Sequence, residues 1–431
     1  MFPAKFCGIV QKIVETAKEN GVDVYAVGGF VRDVILGREP KDLDIMVDCE
    51  AYGSPGIKFA KLLSKKYALD ELATFDEFST AQLVIDGELV EFIMPRTECY
   101  PENSRKPRVK YGSLKWDAMR RDFTVNALFL KLNNENFDNF ELIDLTGKGI
   151  HDLQHKIIRV TDTAKAETIF TEDPLRILRA VRQSIQLDFK IESKTLAAMA
   201  KTAKTIRYLS VERIRGELDK MIIGENFSRA CKTLSKINFF REILPEIEGI
   251  ESESTLKMLD KITSNDLLIR VSAMFQNVKN IDDVDVALKR LHFNNHFVYN
   301  VLTILQYQQI IVEEHKMLND YHIRRIAFGC GGQFDNVLYF AKVRTECDGD
   351  TIDDLITRIE ELKNKNELYV TEILTGQDIM KHFKIPPGKE VAEMKKLAYR
   401  AQLENPYISR EEILSYLGTL IISAFTKTLP D

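Results

Sequence analysis

The sequence predicts an α+β fold: a small N-terminal unit with a mixed sheet and helices, followed by an elongated, all-helical remainder. Three observations carry that expectation. Within the first third, "DVYAVGGF" (23–30) and the pair "STAQLVID"–"GELVEFIM" (79–94) are short, strand-like and bounded by turn residues. From about residue 150 such runs nearly vanish, and apolar residues recur at helical spacing in "DPLRILRAVRQSIQ", "VERIRGELDKMII" and "FSRACKTLSKI". Finally, 431 residues, 45% of them hydrophobic, exceed one ordinary core and suit several packed units.

Taken in order, "MFPAKFCGIVQKIVETAKEN" (1–20) reads as an amphipathic helix, its apolar run too short and broken for a signal peptide or membrane span. Asp86-Gly87 between two strand-like runs is a strong hairpin signal. Between Arg96 and Arg120 lies a polar, basic stretch with helix-breaking Pro101 and Pro107, which predicts a long functional or disordered loop. Polar and turn residues cluster at 225–229 and 345–351, candidate joints in the helical part. The six cysteines are scattered without a Cys-x-x-Cys pair, so neither a zinc ribbon nor a disulfide framework is indicated. An intracellular, cytoplasmic protein without a membrane segment is expected. With a net charge of −5, a nucleic-acid partner would have to meet a local basic face.

The chemistry concentrates in "VGGFVRDVILGREPKDLDIMV" (27–47). Asp42 and Asp44, two apart on a strand, would point to one face and share a cation site. Magnesium suits such a site, because it takes few carboxylates and leaves room for substrate phosphates. Two such ions can hold the attacking and leaving oxygens of an in-line displacement. Gly28-Gly29 before a helix lets backbone N–H groups approach an anionic phosphate, and Arg32 on the first turn can reach one. Either half alone is common: Asp-x-Asp occurs widely, and Gly-Gly after a strand is usually a turn. Glu91 stands inside an otherwise apolar strand, where an unpaired carboxylate is costly. It either lies on the exposed face of an edge strand or serves as a third metal-site carboxylate.

The Gly-Gly-x-Val-Arg-Asp…Asp-x-Asp pattern resembles the polymerase-beta-like nucleotidyltransferase head, and more narrowly the bacterial-type (class II) tRNA nucleotidyltransferases, or CCA-adding enzymes. Four further motifs follow in that family's order: "RRDFTVNAL" (120–128), "DLTGKGIHDLQHKIIRV" (144–160), "EDPLRILRAVR" (172–182) and "SVERIRGEL" (210–218). Five ordered motifs are specific as a set. The resemblance implies a template-independent enzyme that adds C, C and A to tRNA 3′ ends from CTP and ATP. It implies catalytic Asp42 and Asp44 with Glu91 holding two Mg2+ ions, and nucleotide contacts from Gly28, Gly29, Arg32, Arg121, Asp122 and Asn126. It also implies a head (1–148), a neck with a base-selecting helix (149–225), a body (226–345) and a tail binding the tRNA elbow (346–431).

The fourth motif has its own chemistry. Asp173, Arg176, Arg179 and Arg182 recur at three-residue steps, so neighbours share a helix face. A carboxylate beside a guanidinium can match the pairing edges of cytosine and adenine and mismatch those of uracil and guanine. In the family the Asp and first Arg do this, with the later arginines near the triphosphate. The plainer reading is an ordinary helix start with solvated arginines. Arg207, Arg213, Arg215 and Lys220 offer a basic face for an acceptor stem, and 373–414 resembles the family's tail, with Gly376 and Pro386-Pro387-Gly388 as helix breaks. His151 and His155 share a helix face but lack a third zinc ligand, so a structural role is expected. The loop's presence disfavours CC addition alone. Addition of A alone, poly(A) synthesis (with a chain ending in "TKTLPD") and an idle RNA-binding protein remain alternatives.

Overall fold

The computed structural model describes residues 2–99, 108–132, 140–247 and 249–426. The chain divides into two compact units, Met1–Ile243 and Leu244–Asp431. The first unit opens with helix α1 (Ala4–Asn20), whose apolar face buries Phe6, Ile9, Val10 and Ile13. Next come β1 (Asp23–Val27), α2 (Gly29–Ile35), β2 (Leu43–Asp48), α3 (Pro55–Tyr67), β3 (Leu72–Phe75), β4 (Thr80–Ile85) and β5 (Glu88–Ile93). A two-stranded antiparallel ribbon, β6 (Arg96–Cys99) and β7 (Arg108–Tyr111), precedes α4 (Leu114–Arg120), β8 (Leu128–Lys131) and β9 (Glu141–Asp144).

Seven strands form one mixed sheet in the order β3-β4-β5-β2-β1-β8-β9. The β4–β5 hairpin turns on Asp86 (φ 52°) and Gly87 (φ 83°), two left-handed residues in succession, as the favoured two-residue turn requires. β2 and β5 run parallel while the remaining neighbours are antiparallel. Phe59 and Leu63 of α3 are fully buried, and α3 packs across β2, β4 and β5. Tyr25, Val27, Met46 and Phe129 gather with Ala118 of α4 in another cluster.

One expectation needs correction here, and one alternative falls. The stretch from Arg96 to Arg120 is mostly regular structure among its described residues, because its two ends pair as a ribbon and α4 follows. Tyr111 of that ribbon donates a short hydrogen bond to Asp48 of β2. Pro101 and Pro107 lie outside the described residues. Glu91 is also not on an edge: β5 lies between β4 and β2.

Beyond the sheet, α5 (Gly149–Gln154) follows a turn in which both Asp144 carboxylate oxygens accept backbone N–H groups. His151 and His155 stack at 4.0 Å, each Nδ1 engaged within the helix region, which suits a structural role. Two-residue strands β10 (Ile157–Ile158) and β11 (Lys190–Ile191) pair in parallel around α6 (Ala166–Glu172) and α7 (Leu175–Gln186). Then come α8 (Ser193–Thr202), α9 (Val211–Ile222), α10 (Phe227–Lys236) and α11 (Phe239–Ile243). α7 buries Ile177, Leu178 and Val181, packs on α9 and α10, and turns its arginines the other way.

The second unit is helical throughout its described residues. Near its end, Thr375 and Asp378 form a capping box that opens Gly376–Phe383. Gly376 therefore starts a helix, whereas Pro386-Pro387-Gly388 separates two. Leu374, Ile379, Val391, Met394, Ile413 and Leu417 close the local core. "KTLPD" (427–431) lies outside the described residues. No described helix is long and apolar enough to cross a membrane.

Candidate functional site

The site begins at the end of β1. Val27 pairs with Asp44 on β2, and Asp44 pairs in turn with Glu91 on β5, so the two carboxylates are cross-strand neighbours. Asp42 stands one residue before β2 rather than on it. Gly28 follows β1 with φ 73°, and a Cβ there would lie 3.3 Å from Arg121 Nη1 and 3.5 Å from Asp44 Oδ2. A glycine is therefore needed twice over: for the backbone turn and for the approach of Asp44 and Arg121 to the chain.

Burial, then the neighbouring Glu91, push the Asp44 carboxyl up to about 6; Asp42 adds to the effect and Arg121 opposes it. Burial also raises Glu91, opposed by Arg96 and reinforced by Asp42. These carboxylates thus lack enough cationic charge nearby, the condition a divalent cation relieves. Among the described residues no three His, Cys, Asp or Glu side chains enclose an ion by themselves. The donor set fits a cation that completes its shell with substrate phosphates and water, as magnesium does.

The opposite wall is already neutralised. Asp117 of α4 is fully buried and takes Arg120 and Arg121 one helical turn on, with Arg121 Nε at 2.9 Å. Arg121 also donates to the Asn126 carbonyl at 3.3 Å. Asp122 accepts a fork from Arg179 (2.9 and 2.7 Å) on one oxygen, and the Phe123 N–H and Asn126 Nδ2 (2.8 and 2.9 Å) on the other. Burial alone would raise its pKa, but Arg179 and Asn126 hold it below the usual range. Arg32 forks onto Asp33 (2.8 and 2.9 Å) and donates to Asn126 Oδ1 at 2.7 Å.

On α7, Arg176 donates to the Arg120 carbonyl at 2.8 Å, and Arg182 binds Glu217 of α9 at 2.6 Å. Asp173 accepts from Arg213 at 3.1 Å and from the Leu175 N–H at 3.4 Å, both on Oδ1. The Leu175 bond is the ordinary helix-start contact.

These walls enclose an open cavity of about 1240 Å3. Gly28, Gly29, Arg32, Asp42, Asp44, Arg121, Asp122, Asn126, Asp173, Arg176, Arg179 and Arg182 all line it; Glu91 does not, and joins through its pairing with Asp44. Residues about 150 positions apart in sequence thus converge. Asp33, Arg38, Asp117, Gln183 and Glu217 escaped the sequence reading, yet line the cavity or anchor a residue that does. Asp117 had a signal, its three- and four-residue spacing to Arg120 and Arg121. The expected basic face of the neck is largely neutralised: Arg207 pairs with Glu242, Arg213 with Asp173 and Arg215 with Asp219, while Lys220 lines the cavity.

Residues 24–159 match the Poly A polymerase head domain family, and residues 188–250 match the family described as a probable RNA and SrmB-binding site of polymerase A. A CCA-adding enzyme of Pediococcus pentosaceus is 31% identical over 397 residues, covering 89% of this chain and 90% of that protein. The chain belongs to the CCA-adding enzyme family. It is accordingly a nucleotidyltransferase, and its mixed-sheet head followed by helices is the family's architecture. An A-adding tRNA nucleotidyltransferase of Aquifex aeolicus is 37% identical over 237 residues, 54% of this chain and 27% of that one. Among solved structures, a CCA-adding enzyme of Bacillus stearothermophilus in complex with CTP superposes with a TM-score of 0.71 at 22% identity, over 99% of this chain and 100% of that one. The Thermotoga maritima CCA-adding enzyme complexed with tRNA gives 0.67 at 21%, over 97% and 96%. At these identities the two superpositions speak for the fold.

Proposed function

We propose that this enzyme adds C, C and A in turn to the 3′ end of tRNA, using CTP and ATP and releasing pyrophosphate. The observation that carries the reading is the single cavity in which Asp42 and Asp44 share walls with Asp173 and Arg176. Asp42 and Asp44, with Glu91 beside Asp44, would hold two Mg2+ ions. Bound there, the ions supply charge neutralisation at the reacting phosphate and at the leaving pyrophosphate. The chain's own residues do the rest. Gly28 lets Asp44 and Arg121 close on the chain at the start of α2, and Arg121, fixed by Asp117, aims its guanidinium beside Asp44. Asp173 keeps Oδ2 outside its described hydrogen bonds and can accept from the exocyclic amine of C or A. Arg176, anchored on the Arg120 carbonyl, can donate to the adjacent ring nitrogen. The RNA 3′-hydroxyl attacks the α-phosphorus, so that positioning and electrostatics carry the rate.

In this reading residues 1–148 perform transfer, 149–225 select the base, 226–345 form a scaffold and 346–431 contact the tRNA elbow. The test is incubation with tRNAs lacking the CCA end, ending in CC, or complete, each with CTP, ATP or both. The expected result is completion of the first two and no extension of the third. Extension of the CC-ended tRNA alone would favour the second reading, A addition, which the higher local identity to the Aquifex aeolicus A-adding enzyme supports. Unlimited A addition would indicate a poly(A) polymerase.

A further inference from the structure

Gln183 lies on α7 one turn beyond Arg179, is only 4% exposed, and lines the cavity. Neither side-chain charge nor helical spacing singles it out, and its role emerges from the direction of the hydrogen bonds around Asn126. Arg32 can only donate, and its Nη1 lies 2.7 Å from one end of the Asn126 amide, which must therefore be the oxygen. Ionised Asp122 can only accept, and it lies 2.9 Å from the other end, which must be the nitrogen. That nitrogen spends its second hydrogen on Gln183 at 3.0 Å, so Gln183 turns its own oxygen to Asn126. The amide orientation of Gln183, normally ambiguous, is thus dictated by a charged residue at each end of the relay.

The consequence is a donor group left over. The Gln183 NH2 has no protein hydrogen-bond partner among the described residues, although the side chain is more than nine-tenths buried. The amide nitrogen itself is not among the buried unpaired atoms: it opens on the cavity, where a bound ligand can take the hydrogen bond that water otherwise makes. Meanwhile both Asp122 oxygens and both Asn126 amide hydrogens are already engaged. We propose that Gln183 is a substrate-contacting residue, its amide donating to an acceptor oxygen in the ribose–triphosphate part of the incoming nucleotide. That part is common to CTP and ATP, so the contact adds affinity without choosing the base. The assignment rests on the nucleotide-transfer reading of the cavity.

The test is equilibrium binding of CTP, ATP, UTP and GTP to the full-length enzyme in Mg2+, for wild type, Gln183→Met and Gln183→Glu. Met keeps the length and removes the donor; Glu removes the donor while still accepting from Asn126. Loss of one neutral hydrogen bond predicts about tenfold weaker binding of CTP and ATP in both variants, with their preference over UTP and GTP unchanged. Thermal unfolding identifies a misfolded Met variant, in which case Glu carries the test. Wild-type affinity in the Glu variant would reduce Gln183 to a support for Asn126 and overturn the assignment. So would a loss confined to particular bases. If wild-type protein binds no nucleoside triphosphate, the transfer reading fails and this one with it; equal binding by wild type and variants sinks this one alone.

Discussion

Asp44 and Asp122 face the same cavity from opposite walls, and their carboxyl groups are pushed in opposite directions. Both are removed from water, which raises a carboxyl pKa. Asp44 has Glu91 and Asp42 close by and climbs to about 6. Asp122 has the forked guanidinium of Arg179 and falls below the ordinary range. The sheet wall is therefore a place that awaits external positive charge, while the helical wall carries its own. That difference separates residues that would hold metal from residues that hold the site's shape, and it can be tested from either side.

The largest effect is expected at the sheet wall. Asp44→Asn should lower nucleotide incorporation by at least about a hundredfold, as removal of a charge-positioning group does in other active sites. Folding should respond the other way. A carboxyl whose folded pKa is raised contributes fully below its ordinary value near 3.8, and that contribution is lost as pH rises through about 6. Metal-free wild type should thus be less stable at pH 8 than Asp44→Asn, with the gap closing below pH 4. Adding Mg2+ should raise the melting temperature of wild type and leave the variant unmoved. A loss of stability in Asp44→Asn equal at both pH values would break the comparison.

Asp122→Asn tests the other wall. A buried pair broken from one side typically costs about 3–5 kcal/mol. Because the Arg179 side chain remains 36% exposed and can recover water, about 2 kcal/mol is expected here. With its folded pKa lowered, Asp122 contributes above the ordinary carboxylate range and loses that contribution as pH falls through its lowered value. The deficit of Asp122→Asn in denaturant melts should therefore persist at pH 7 and vanish in acid, the reverse of Asp44→Asn.

How far the sequence discloses these walls depends on how local each feature is. The Asp86-Gly87 turn and the helical spacing within 173–186 are written in neighbouring residues, and the structure has the turn and the helix Leu175–Gln186. The strand order β5-β2-β1 is not local: it puts Glu91 beside Asp44 through a parallel pairing that periodicity does not encode. Arg179 and Arg182 looked like free phosphate ligands on an arginine-rich helix, yet their partners Asp122 and Glu217 lie 57 and 35 positions away in sequence. Gln183 gave no signal because a neutral amide on a helix is usually a solvated residue; only the bonds of Asn126 reveal its orientation. The Arg96–Arg120 stretch misled because proline and charge outweighed the strand pairing of its ends.

Gly28 joins the two walls, and Gly28→Ala should have an intermediate effect. Its backbone (φ 73°, ψ −139°) lies where side chains are strained, a cost of about 1–3 kcal/mol. The added methyl would also press on Arg121 Nη1 at 3.3 Å. Incorporation should fall together with the melting temperature, and a variant with normal activity would mean that Arg121 need not stand beside Asp44.

The smallest effect is expected at Arg213, where the helical wall meets solvent. Its pair with Asp173 has both side chains partly open, 50% and 29% exposed, so the bond is worth at most about 1 kcal/mol of stability. Arg213 occupies Asp173 Oδ1 and leaves Oδ2 to the cavity, so it orients the carboxylate without competing for a base amine. Arg213→Gln should leave the melting temperature nearly unchanged and reduce kcat/KM for CTP and ATP about threefold, the scale of one weakly coupled orienting bond. Discrimination against UTP and GTP should stay intact, because Arg176 keeps its separate anchor on the Arg120 carbonyl. A variant that starts to incorporate U or G would instead make Arg213 part of base selection, and the self-neutralised wall would then be doing more than holding shape.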